Sequence, residues 1–131
     1  MTLYSSRDEI SEQYRWDLTS IFETDEAFLA ALEKAKKYPE KYLAFKGRIS
    51  QAPETLLEYL QFDDEVSIEL SKLINYANRK ADEDTRASLY QDYSSQVMSL
   101  YVSISSACSW FASELLSLSE TRMDDFYQQC P

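Results

Sequence analysis

A chain of 131 residues with 44% hydrophobic and 14% aromatic side chains holds enough apolar material for one folded domain, which excludes a disordered tail. Glycine occurs once and proline three times, too few for the turns of a strand-rich fold, so the class read from composition is all-α. The net charge of −10 argues against nucleic acid as a partner, because phosphate binding needs a basic surface.

The first segment, residues 1–23, reads as a strap, its opening thirteen residues mobile or loosely docked. Its opening "MTLYSSRDEI" is polar and predicts no signal peptide, which makes a cytoplasmic protein the default. Within it, "YRWDLTSIF" holds Asp17 as an N-cap for a short turn, its carboxylate accepting from Thr19 or Ser20. Trp16 and Ile21 then fall at the staple positions on either side of the cap and complete the structural anchor.

The helical domain, residues 24–131, follows as a compact bundle of five to six helices. A helix after Thr24 carries Asp25 and Glu26 in its first turn and Phe28, Leu32 and Ala35 on one face. Pro39 interrupts that pattern, and Tyr42, Leu43 and Phe45 continue it to a stop at Gly47. Residues 34–48 carry a local charge of +5, either a solvated face or a docking patch for an acidic surface. Pro53 suits N1 of a third helix with Leu56, Leu57 and Leu60; a fourth runs from about Asp64 to Ala81 with Val66, Leu70, Leu73, Ile74 and Ala77.

The fifth predicted helix, from about Thr85 to Leu116, keeps Leu89, Tyr93, Val97, Leu100, Ile104, Cys108, Phe111 and Leu115 at helical spacing. No charge occurs from Tyr93 to Ser113, a stretch of twenty-one residues. Eight of them are serines, whose hydroxyls would need partners in lipid, and this excludes a membrane span. Ser95, Ser99, Ser103, Ser106 and Ser113 cluster opposite the apolar stripe with Trp110 beside them. Such a face is either wrapped by the domain itself or approached by an element from outside it. Ser99, Ser103, Ser106 and Trp110 are the candidate residues for contact with such an outside element. A last helix starts at Ser119, with Met123, Phe126 and Tyr127 on one face.

Chemistry-bearing motifs are scarce. The chain has no histidine, so neither an H-E-x-x-H zinc helix nor a His-based triad exists here. One glycine excludes a P-loop or a dinucleotide fingerprint. Glu65 and Glu69 share a face and Asp63, Asp64, Asp124 and Asp125 form acidic pairs, the basis of an alternative reading as a carboxylate-only metal enzyme. Asp84 in "DEDTRA" reads as a helix cap. Cys108 reads as a small core residue, and two cysteines make no disulfide framework. No cofactor, metal or catalytic residue is expected in this chain.

The phrases "YRWDLTSIFETDEAFLAAL", "YLAFKGRIS", "APETLLEYL", "LINYANRKADEDT" and "SWFASELLSLSE", in that order between Tyr14 and Tyr127, resemble the N-terminal region of oligoendopeptidase F. That family comprises zinc metallopeptidases of the thimet-oligopeptidase-like group. The resemblance implies an all-helical N-terminal lobe that covers a catalytic domain and helps to enclose a deep cleft for oligopeptides. It also implies that zinc, the H-E-x-x-H histidines, a further glutamate ligand and the general-base glutamate all reside in that later domain. None of those residues exists in this sequence, so the chain is expected to be inactive alone: a fragment, a separately expressed domain or a truncated frame. Its implied partners are the catalytic domain and, in the complete enzyme, an oligopeptide substrate; a homodimer is possible for a lobe with an uncovered patch. The alternative is a free-standing helical interaction or dimerisation module.

Overall fold

A computed structural model describes Tyr4 and residues 7–130. The rest of the expected strap, residues 1–3, 5 and 6, and the last residue of the expected 24–131 lobe lie outside the described residues. Three 3-10 turns, Arg7–Glu9, Glu12–Tyr14 and Leu18–Ser20, precede six α-helices: α1 (Asp25–Ala35), α2 (Tyr38–Phe45), α3 (Pro53–Glu83), α4 (Ser88–Cys108), α5 (Phe111–Leu116) and α6 (Glu120–Gln129). No strand occurs among the described residues, and the fold is all-α.

Local capping sets several of these starts. Asp17 accepts from the backbone N–H of Thr19 at 3.0 Å, as read from sequence. Thr24 Oγ1 accepts from Ala27 N at 3.2 Å and Ser119 Oγ from Arg122 N at 3.2 Å, opening α1 and α6. Pro53 begins α3 at N1, where its missing N–H costs nothing. The chain leaves α2 through Gly47, whose φ of 77° lies in the left-handed region that glycine adopts without strain.

Two predicted boundaries move. The third and fourth expected helices are one, the 31-residue α3. The acidic run at Asp63 to Glu65 does not interrupt it, because nothing between Glu54 and Glu83 breaks the hydrogen-bond ladder: there is no further Pro or Gly. Conversely, the long fifth helix is divided into α4 and α5. At the break, Ser109 N and Ser109 Oγ both donate to Ser106 O, at 3.3 and 2.8 Å. A side chain and a tightened turn thus compete for a carbonyl that the helix ladder would otherwise use.

α3 and α4 form an antiparallel hairpin. Ser94 donates to Asn78 at 2.7 Å near its turn, and Phe111, just beyond α4, stacks on Tyr59 at 4.3 Å at the far end. Asp84 stands at the C-cap of α3 and closes the connecting turn by accepting from Arg86 N at 3.0 Å, while the N-cap of α4 is Ala87. α1 and α2 cross one side of the hairpin and seal the core. Phe28 contacts the rings of Tyr76 and Tyr93, each at 5.1 Å, and Tyr42 meets Tyr59 at 5.9 Å and Phe62 at 4.9 Å. Phe28, Leu32, Tyr42, Ile49 and Leu73 are fully buried.

Tyrosine-to-carboxylate bonds stitch the helices together at the core edge. Tyr42 donates to Asp63 at 2.6 Å, and Tyr76 and Tyr90 donate to the two oxygens of Asp25 at 2.7 and 3.0 Å. Glu69 accepts from Lys34 at 3.0 Å and from Tyr38 at 2.8 Å. Those bonds, Lys34 first, hold its carboxyl below the ordinary glutamate value of 4.5. A carboxyl whose pKa is depressed on folding stabilises above its unfolded value and loses that contribution as pH falls through its folded value. Acid unfolding below about pH 4.3 should therefore be steeper in the wild type than in Glu69→Gln; parallel stability curves would refute this.

The C-terminal elements are latched to the α2–α3 turn. Glu114 of α5 accepts from Gly47 N at 2.7 Å and from Ser50 N at 3.4 Å, while Arg122 of α6 donates to Gln51 O at 3.2 Å.

Candidate interaction face

The apolar stripe read from the sequence is buried at Tyr93, Val97, Leu100 and Ile104, whereas Leu89 at its start is 51% exposed. The opposite face is open. Ser95, Ser99, Ser103 and Ser106 are exposed, and so is Ser113 on α5. The domain does not wrap this side of α4, which overturns the first of the two readings of the serine face.

Between those serines stand larger side chains: Met98 is 52% exposed, Val102 60% and Tyr101 47%. Met98 and Val102, four residues apart, occupy the centre of the face. With Gln91, Ser94, Ser95 and Ser99 they line a shallow groove of about 600 Å³. Several hydroxyls are already engaged: Ser95 donates to Gln91 O at 3.0 Å, Ser94 to Asn78 and Ser109 to Ser106 O. Engaged hydroxyls cost less to dehydrate than free ones, so the face can be covered without demanding polar partners.

Trp110 does not share the serine face. It is half-buried, its ring edge-on to Tyr59 at 5.5 Å and to Phe111 at 6.2 Å. The α4–α5 break turns both aromatic residues onto α3. Its indole N–H is buried and meets no acceptor among the described residues.

Trp16 of the expected anchor is also placed differently. It is 73% exposed and lies over the Arg79 guanidinium at 5.2 Å, so it meets α3 through a cation–π contact. The buried residue of that phrase is Leu18; Ile21 is half-buried against the core. An Arg7–Glu83 ion pair of 2.7 Å adds a second tie between the N-terminal turns and α3.

The basic stretch is partly spent in local contacts, while Lys37, Lys41, Lys46 and Arg48 remain exposed. Lys34 pairs with Glu69, Lys36 with Glu33, Lys41 lies over the rings of Tyr38 and Phe62, and Arg48 donates to Ala44 O. The acidic pairs are spent or dispersed as well: Asp63 holds Tyr42, while Asp64, Asp124 and Asp125 face solvent. Among the described residues no cluster of three or more His, Cys, Asp or Glu side chains is placed to hold a metal ion. With no histidine in the sequence, these residues do not fit the zinc that the resemblance implies. Burial and the nearby Asp63 push the Cys108 thiol above its ordinary value, the opposite of an activated nucleophile. No helix of the described residues is long and apolar enough to cross a membrane.

The chain is 32% identical over 126 residues to the group B oligopeptidase PepB of Streptococcus agalactiae, an alignment that spans 96% of this chain and 21% of that protein. It is 38% identical to the chromosomal oligoendopeptidase F of Lactococcus lactis subsp. cremoris, over 87% of this chain and 19% of the relative. This chain is a homologue of one part of the oligoendopeptidase F-type oligopeptidases. The oligopeptidase PepF of Bacillus subtilis is 30% identical over 92% of the chain and 18% of its own length. The chain thus spans about a fifth of the oligoendopeptidase F relatives it matches. No protein-family profile and no solved structure matches it.

Met98 and Val102 escaped the sequence reading. Their spacing of four opposite the buried stripe is the signal that marks them, set among serines that dominate that face.

Proposed function

We propose that this chain is the N-terminal helical lobe of a cytoplasmic, oligoendopeptidase F-like zinc metalloendopeptidase, and that it is inactive alone. In this reading it packs on a catalytic domain that holds the zinc and helps to enclose the cleft that admits oligopeptides. The observation that carries it is the alignment: nearly the whole chain matches relatives named as oligopeptidases, yet covers about a fifth of their length. The exposed face of α4, uncharged from Ser95 to Ser106 with Asp92 at its N-terminal end, supports it, because a lobe needs a surface that the rest of the enzyme can cover. Ser99, Ser103 and Ser106 would stand on that contact or line the cleft; Trp110 would act from beneath it, holding α5 on α3.

The test is complementation. The chain is mixed with the remaining roughly four fifths of the Lactococcus enzyme, and cleavage of a quenched fluorescent peptide is followed with and without a zinc chelator. Chelator-sensitive cleavage only in the mixture is expected, and Ser103→Leu should weaken the rescue about tenfold, the effect of roughly 1.4 kcal/mol lost at the contact. Absence of rescue from two folded components would overturn the lobe reading.

A further inference from the structure

The N-terminal turns rest on the lobe without entering its core. Among the described residues the core begins at Leu18, and no residue from Arg7 to Asp17 is buried. The two largest apolar groups of that stretch stand in water, Tyr14 75% and Trp16 73% exposed. A segment with so little burial opens at low free energy. What it has instead is internal order. Arg7 Nη2 donates to Trp16 O at 3.5 Å and joins the ends of a loop over residues 7–16, while Arg15 reaches back to Ile10 O at 2.7 Å and Asp8 O at 3.0 Å. The base of the loop is fixed, since Asp17 accepts from Thr19 N at 3.0 Å and Ser20 Oγ donates to Asp17 O at 2.8 Å. A surface loop with joined ends and its own contacts is an Ω-type unit, able to lift without unravelling.

The loop lies on α3 across two grooves, one of about 420 Å³ and one of about 680 Å³, and Arg7, Lys80 and Glu83 line both. The Arg7–Glu83 pair therefore stands between the grooves. Glu83 has a second cation at hand: Lys80 Nζ lies 3.9 Å from its other carboxylate oxygen, over the rings of Tyr76 at 5.7 Å and Tyr90 at 5.5 Å. Losing Arg7 does not leave Glu83 as an uncompensated half-buried charge, which removes the main cost of breaking such a pair.

We propose that residues 7–16 are a lid that lifts from α3 as one body about Asp17, with the Arg7–Glu83 ion pair as its bolt and Lys80 as the cation that takes over Glu83 in the open state. Opening merges the two grooves and bares Lys80 along the ring of Tyr90. The closed state is held by charge and by the Trp16–Arg79 contact, so salt weakens it; a lid held by burial would not respond in that way. The device is intrinsic to this chain and does not depend on the lobe reading.

Nuclear magnetic resonance of the isotope-labelled full chain tests this through the indole N–H signals of its two tryptophans. Trp16 reports the lid, and Trp110, edge-on to Tyr59, reports the core. Raising salt from about 10 mM to about 1 M shortens the screening length from roughly 30 to roughly 3 Å; the Trp16 signal should shift and the Trp110 signal should stay fixed. Glu83→Gln and, separately, Arg7→Ala should shift Trp16 in the same direction at low salt, raising the open fraction about fivefold, the upper range for an ion pair of this exposure. The double variant should open no further than Arg7→Ala alone, because both changes remove the same bond. A Trp16 signal that neither salt nor substitution moves overturns the proposal. So does a Trp110 signal that moves with it, since that reports loosening of the whole lobe rather than a lid.

Discussion

Phe28→Ala should lower stability by about 3–5 kcal/mol, the cost of emptying a fully enclosed aromatic site. Phe28 has no exposed surface and touches three other rings: Phe22 at 5.8 Å, Tyr76 at 5.1 Å and Tyr93 at 5.1 Å. It is the point where α1 meets both arms of the α3–α4 hairpin and the segment that leads into α1. Collapse cannot refill the space cheaply, because Tyr76 and Tyr90 have their hydroxyls fixed on Asp25 and would surrender those bonds by moving inward. Chemical denaturation should show the midpoint falling with the slope unchanged. Thermal unfolding should begin about 10–15 °C lower for a chain of this size. A loss below about 1 kcal/mol would mean that the ring cluster is not packed as described.

Asp25→Ala carries the second large effect, about 2–4 kcal/mol. Asp25 stands at the first position of α1, where its charge favours the helix dipole. Its two oxygens also accept from Tyr76 of α3 and Tyr90 of α4, so one side chain joins three helices. Truncation leaves the hydroxyl of the buried Tyr76 without its acceptor, which costs more than the bond itself contributes. Asp25→Asn, which keeps one acceptor oxygen, should lose less. A double-mutant cycle with Tyr76→Phe should return a coupling of about 1 kcal/mol or more; additive losses would show that the two side chains do not interact.

Both effects lie partly outside what the sequence determines. The sequence determined the helical class, because a chain with one glycine has few ways to turn. It determined the caps at Asp17, Thr24 and Ser119 and the buried stripes of α1 and α4, because capping and periodicity are settled by residues within a turn or two of one another. The order of its phrases also carried the oligoendopeptidase F resemblance that the homologues bear out.

The tertiary structure alone decided where long-range partners matter. Asp25 reads locally as a first-turn acid, yet its partners lie 51 and 65 residues away. Asp63 looks like an interruption until Tyr42 is seen to donate to it, and Glu114 looks like a surface acid until Gly47 N is found 2.7 Å from it. Trp110 shares a helical repeat with the serines only if the helix continues, and a local competition for the Ser106 carbonyl ends it. Whether a neutral face is wrapped or bare depends on the path of the other helices rather than on the face's own residues. Here α1 and α2 both lie on the stripe side of α4 and leave Met98, Val102 and their serines in water.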